Sequence, residues 1–142
     1  MVQGKAVPFE GKHSEVTGRV LESFYKVYNC LGYGFSEKVY ENALALEMTQ
    51  QGMKVEPQKP IQVFYQDHVV GEYFADMLVN ERVILEIKSA RSLTTEHQAQ
   101  LLNYLKATRI EVGLLLNFGP KAQFTRKVYD NERKGLLSWV EK

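Results

Sequence analysis

Asp76, Glu86 and Lys88 are two acids and an amine within the short stretch GEYFADMLVNERVILEIK, Gly71 to Lys88. The residues around the last two are apolar: Val83, Ile84, Leu85 and Ile87. A segment of that composition is buried, and a buried charge is costly unless it is paired or bound to metal. Side chains alternate along a strand, so Glu86 and Lys88 share one face while Leu85 and Ile87 share the other. Asp76 joins that patch if the hairpin register sets it opposite Glu86. Opposed hairpin residues keep a constant index sum, so Val79 then faces Val83, and Asn80, Glu81 and Arg82 form the loop. Two chemistries fit such a patch. A hard divalent cation takes carboxylate, carbonyl and water oxygens, and Asp76, Glu86 and the Ile87 carbonyl offer them. Lys88 would then stabilise charge on a phosphodiester or orient a nucleophile. Alternatively, the acids and the lysine form an internal ion pair that ties the sheet together.

The elements that must position this patch follow from periodicity and punctuation. Ser14 caps a helix running to Cys30 or Leu31, with Val16, Val20, Leu21, Phe24, Val27, Tyr28 and Leu31 on one stripe and Gly32 as its stop. A second helix starts near Ser36 and runs to about Gln51, before Gly52. On it Val39, Ala43 and Leu46 make one apolar row, with Tyr40, Leu44 and Met48 beside it. Pro57 and Pro60 keep the start of the first strand extended and point to an edge or entry position. Ile61 to Tyr65 alternates, Gln66-Asp67-His68 turns the chain, and Val69 to Val79 is strand two. Strand three ends at Lys88. Ala90 to Leu93 leads to a third helix, with Thr95 and Gln98 as a capping box and Leu101, Leu102 and Leu105 as its buried stripe. Its N-terminus follows Lys88 and points free N–H groups toward an anion. Ile110 to Phe118 is almost wholly apolar, a central strand reached by a parallel crossover. Gln123 to Tyr129 is the last strand. Residues 1–12 read as a loose arm, and Leu136, Leu137, Trp139 and Val140 as a short apolar cluster.

Composition narrows the class. The chain of 142 residues is expected to be one domain over its whole length, with 44% hydrophobic and 25% charged residues, as in soluble globular proteins. No stretch is long enough to span a membrane, and no signal-peptide pattern opens the chain. The lone Cys30 fits a reducing cytoplasm and reads as a small buried helix residue. Net charge is +1, but residues 1–87 hold 8 Lys/Arg against 12 Asp/Glu, and residues 88–134 hold 9 against 4. The basic second half suits either a phosphate-binding face or ordinary solvated lysines. Cys or His pairs at zinc spacing, a P-loop and a Gly-x-Ser-x-Gly elbow are all absent.

In this setting Asp76, Glu86 and Lys88 resemble the signature of the PD-(D/E)xK nuclease superfamily. Gly34 to Tyr40, GFSEKVY, resembles the motif of its GxxExxY branch, and Gln100 to Tyr104, QLLNY, the QxxxY motif of its lambda-exonuclease-like members. Ala75 stands where the superfamily's name has proline, which takes no part in chemistry. The motifs fall in order within a core of about 14–129. The resemblance implies an α/β, restriction-endonuclease-like core: two N-terminal helices, a mixed sheet of about five strands, and a crossover helix between strands three and four. It implies a nuclease hydrolysing phosphodiester bonds with Mg²⁺ or Mn²⁺, acting on nucleic acid, DNA ahead of RNA. It makes Asp76, Glu86, Lys88, Glu37, Gln100 and Tyr104 the catalytic candidates. Asp76, Glu86, Ile87 and Glu37 become the metal candidates, with Gly34 and Tyr40 in support.

From spacing alone, Glu37 is a first-turn acid favoured by the helix dipole and Tyr40 a packing residue. The resemblance moves Glu37 toward the metal. It gives Gln100 a hydrogen-bonding role at the nucleophile or phosphate, with Tyr104 in support. His13, His68 and His97 read as surface or loop residues, of which His97 alone lies close enough in sequence to Gln100 to touch substrate. Two alternatives stay open: a non-catalytic nucleic-acid- or protein-binding domain on the same fold, and an ion-paired scaffold.

Overall fold

The computed structural model describes residues 11–134. The arm expected at residues 1–12 lies almost entirely outside the described residues, as do Leu136, Leu137, Trp139 and Val140. Two helices come first, α1 (Ser14–Leu31) and α2 (Glu37–Gln50). Then follow β1 (Val55–Tyr65), β2 (His68–Val79), β3 (Val83–Lys88), α3 (Thr95–Lys106), β4 (Val112–Phe118), β5 (Ala122–Val128) and a 3-10 turn, Asn131–Lys134. The strands form one sheet in sequence order. All neighbours are antiparallel except β3 and β4, whose parallel pairing requires the α3 crossover. Edge strand β1 carries both expected prolines, where a missing N–H does no harm.

The apolar strands are buried on both faces because helices cover both. Val83, Leu85 and Ile87 of β3 and Val112, Leu114 and Leu116 of β4 pack with Val20, Leu21, Phe24, Leu44 and Met48. Ile84 and Leu115 point the other way, onto Leu101, Tyr104 and Leu105 of α3. All seven residues of β4 are buried. Its one polar side chain, Asn117, is hydrogen-bonded through both ends of its amide. Its Oδ1 accepts from the Ala90 N–H at 2.8 Å and its Nδ2 donates to the Ala90 carbonyl at 2.9 Å. Gly119 is required by the same approach, since a Cβ there would lie 2.1 Å from the Ala90 oxygen. The segment just past Lys88 is thereby fastened to the end of β4.

Several local expectations are corrected. His13, at φ 54°, is the cap residue of α1 and Ser14 its first helical residue. Cys30 is exposed, not buried. On α2 the buried row is Tyr40, Leu44 and Met48, while Val39 and Leu46 face solvent. Tyr40 wins its place by stacking on Phe118, with centroids 4.5 Å apart, a contact that spacing does not reveal. The first hairpin turns on Gln66 and Asp67 alone, both at positive φ, so His68 belongs to β2. The α3 capping box is Thr94 and His97, one residue earlier than expected. Tyr104 replaces Leu102 in the buried stripe.

Candidate active site

The β2–β3 register is the one the index sum requires: Met77 faces Leu85, Leu78 faces Ile84 and Val79 faces Val83. Arg82 N–H donates to the Val79 carbonyl across the three-residue loop, and Asn80 and Glu81 hold its left-handed positions at φ 51° and 57°. The regular ladder stops at Met77 and Leu85, one step short of Asp76 and Glu86, which the same sum sets opposite each other. On the other side of β2, Gln58 takes a left-handed φ of 51° and drops out of the β1–β2 ladder opposite the same Asp76. A non-glycine residue pays for that conformation, so something must fix it. Here Gln58 Nε2 donates to Glu41 Oε1 at 2.6 Å.

In this gap the two acids take over the work of backbone carbonyls. The Asp76 N–H donates to Glu86 Oε2 at 2.8 Å, and the Ile87 N–H donates to Asp76 Oδ2 at 2.7 Å. Among the described residues no hydrogen bond reaches the other oxygen of either carboxylate. Glu86 is 4% exposed. Burial first, and then the charge of Asp76, push its carboxyl up to about 8, against the pull of the Asp76 N–H and Lys88. Asp76 is also raised, chiefly by burial, with Glu41 and Glu37 adding to the rise. Lys88 sits half-buried at the end of β3, and none of the ion pairs among the described residues joins it to Asp76 or Glu86. The closed ion pair of the scaffold alternative is not formed.

Glu37 reaches this region from α2. Its Oε2 accepts from the N–H of Ser89, the residue after Lys88, at 3.3 Å. The loop before it explains the neighbouring motif residues. Gly34 stands at φ 119°, a conformation that suits glycine. The Tyr40 hydroxyl donates to the Gly32 carbonyl at 2.7 Å and accepts from the Phe35 N–H at 3.2 Å. Tyr40 thus pins the loop that sets Glu37 at the start of α2. Tyr40→Phe keeps the stacked ring and removes both bonds, so a loss of ~1–2 kcal/mol is expected, seen as a fall of several degrees in a thermal melt.

On α3, Tyr104 is buried, and burial followed by the charges of Glu86 and Asp76 pushes its hydroxyl up to about 12. Gln100 makes no hydrogen bond to either acid and lines a cavity with Tyr104 and Tyr73. His97 is committed to the helix cap, its Nδ1 accepting from the Thr94 N–H at 3.2 Å. Glu41 is the residue that sequence reading missed. It is 7% exposed, and its charge raises both central acids. Its spacing of one turn from Glu37 was the available signal. Among the described residues no three His, Cys, Asp or Glu side chains are grouped closely enough to hold a metal by themselves. The donor chemistry of the central pair still suits a hard divalent cation: two repelling carboxylates, each with one oxygen committed to a backbone N–H.

A family model of the PD-(D/E)XK nuclease superfamily matches residues 14–128. The chain belongs to that superfamily. Among the described residues, three helices and a mixed five-stranded sheet make up the superfamily's restriction-endonuclease-like α/β fold. Superfamily members are generally nucleases and typically use divalent metals such as Mg²⁺. The crystal structure of SSO0001 is similar at 18% identity and a TM-score of 0.40, over 87% of this chain and 62% of that one. This chain therefore spans less than two thirds of that structure's length. No curated protein matches the chain. Among the described residues no helix is long and apolar enough to cross a membrane.

The raised Glu86 carboxyl gives the metal-free chain a definite pH dependence. Between the ordinary value of 4.5 and about 8, the folded chain keeps a proton that the unfolded chain gives up. The stability from this group is therefore complete below 4.5, declines as pH rises, and is gone above about 8. Asp76, raised as well, acts in the same sense. Between pH 5.5 and 8.5 the melting temperature in chelator should fall by ~3–9 °C, corresponding to ~1–3 kcal/mol. Glu86→Gln should flatten the profile. A melting temperature that rises across this window would contradict the burial of an uncompensated acid.

Proposed function

We propose that the chain is a divalent-metal-dependent nuclease of the GxxExxY branch, with a QxxxY helix in α3, hydrolysing phosphodiester bonds with Mg²⁺ or Mn²⁺. The observation that carries this reading is the Asp76–Glu86 gap in the sheet, an acidic pair left unneutralised beside a lysine that pairs with neither. Asp76, Glu86 and the Ile87 carbonyl would hold the cation, with Glu37 at its rim. When bound, the cation neutralises phosphate charge and makes hydroxide available near neutral pH. Lys88 places an ammonium at the end of β3, where it stabilises charge on the phosphate oxygens. The Ala90 clamp from Asn117 and the Ser89–Glu37 bond hold that strand end still. Tyr104 lies within electrostatic reach of the acids, and Gln100, which lines the same cavity, would meet the substrate there.

DNA is the favoured substrate over RNA, and a cytoplasmic setting suits both the substrate and the lone cysteine. The test is incubation with DNA and with RNA in millimolar Mg²⁺ or Mn²⁺ against chelator. Cleavage that requires metal supports the reading. Metal-independent binding of nucleic acid without turnover would favour a non-catalytic binding domain instead.

A further inference from the structure

A cavity of about 540 Å³ opens between the β1–β2 hairpin and α3. Val63 and Tyr73 form its hairpin wall, and Ala99, Gln100, Asn103 and Tyr104 its helix wall. Its size is that of an ordinary small-ligand site, ~300–1,000 Å³. The Tyr73 and Tyr104 rings stand 5.9 Å apart between centroids, tilted by 48°. Tyr73 is 47% exposed, yet its ring is placed. A Cβ on Gly71 would meet Tyr73 Cε2 at 3.2 Å, so the ring lies across the bare backbone of that glycine. Covering a strand glycine in this way fixes an aromatic side chain on a sheet surface. Tyr104 belongs to both places, since it lines the cavity and feels the charges of Glu86 and Asp76. One ring therefore belongs to the cavity wall and lies within electrostatic reach of the acids.

The lining determines what fits. Its walls are rings and methyl groups, and the two carboxamides of Gln100 and Asn103 supply donors and acceptors. The charges that also line it, Glu96 and Lys106, offset each other, so the cavity itself draws in no phosphate. A flat, uncharged heterocycle with a hydrogen-bonding edge meets both features, by stacking on the rings and pairing with the amides. We propose that the cavity takes one unstacked nucleobase of a single-stranded nucleic acid and so sets the adjoining phosphate at Asp76, Glu86 and Lys88. The placement of the phosphate rests on the nuclease reading above. A base still paired in a duplex cannot enter without being flipped out, so the substrate is a single strand or a frayed end.

The probe is a short single strand carrying 2-aminopurine, whose fluorescence falls on stacking, compared with the matching duplex. Both are titrated into Lys88→Ala protein in millimolar Mg²⁺. The single strand should quench saturably and bind ~10-fold or more tightly than the duplex. Adding Tyr73→Ala should weaken single-strand binding ~5–100-fold, and Tyr73→Phe should keep it. Ala99→Trp, from the opposite wall, should give a similar loss by filling the space. Both positions are exposed, so a circular-dichroism melt should show the fold retained. Equal binding of single strand and duplex, indifferent to both substitutions, overturns the proposal. So does Tyr73-dependent binding of an apolar peptide in place of the oligonucleotide. Cleavage by the parent separates the two readings. Metal-dependent cleavage combined with that indifference removes the base site and leaves the nuclease standing. Tyr73-dependent quenching without any cleavage keeps the base site and removes the nuclease.

Discussion

Lys88→Ala should keep its fold and its response to Mg²⁺, and lose ~10²–10³ in cleavage rate. An ammonium is not a metal ligand, so the cation binding proposed for Asp76 and Glu86 would not need it. Lys88 is also outside every ion pair recorded among the described residues, so its removal breaks no closed contact. On the proposed reading it supplies a positive charge at the end of a strand whose backbone is anchored by the Asn117–Ala90 bonds. A preorganised charge of this kind acts on the developing phosphate charge without reorganising. The measurement is single-turnover cleavage in matched Mg²⁺, alongside the metal-induced shift in melting temperature. A variant that cleaves like its parent would make Lys88 a bystander and leave the charge stabilisation to other groups.

Glu86→Gln and Asp76→Asn should each abolish cleavage and the response to metal while raising the melting temperature of the metal-free chain. The amide oxygen of either replacement can still accept the backbone bond that the acid accepts, from the Asp76 N–H or the Ile87 N–H. Only the charge is lost, and that charge is what burial and the neighbouring acids penalise. For Glu86→Gln a gain of ~1–3 kcal/mol at pH 8 is expected, or a rise of ~3–9 °C, and Asp76→Asn should move the melt in the same direction. Metal should raise the parent's stability by ~1.4 kcal/mol at ten times its dissociation constant and leave both variants unmoved. A scaffold of paired charges predicts the opposite, a loss of ~3–5 kcal/mol on breaking the pair. Melts of parent and variants with chelator and with Mg²⁺ decide between them.

The hairpin and its register were legible because one index sum ties the Asp76–Glu86 opposition to a loop of suitable length with Asn80 in it. The central strand was legible because its residues are apolar without alternation. Other features escaped for physical reasons. On α2, rows three and four residues apart both look apolar, and the choice of Tyr40 over Val39 is made by Phe118, which is remote in sequence. The start of α3 lies one residue earlier than the Thr95–Gln98 spacing indicates because His97, not Gln98, returns the cap bond, and histidine rarely announces itself as a capping partner. Glu41 was marked only by its spacing of one turn from Glu37, because its bond to Gln58, a residue at left-handed φ between Pro57 and Pro60, joins elements remote in sequence. The cavity beside Tyr104 needs Tyr73 laid over Gly71, a contact between two residues on one strand that periodicity treats as unrelated.

The exchange of side-chain carboxylates for ladder carbonyls at Asp76 and Ile87 gives the site a built-in spectroscopic gauge. Two main-chain protons, those of Asp76 and Ile87, rest directly on the groups whose charge state defines the site. Their chemical shifts and solvent-exchange rates should follow protonation of the acids and loading with a cation, in a protein that has met no nucleic acid. A pair of backbone resonances in a nitrogen-labelled sample would then read occupancy directly, separating what the site holds from what it cuts.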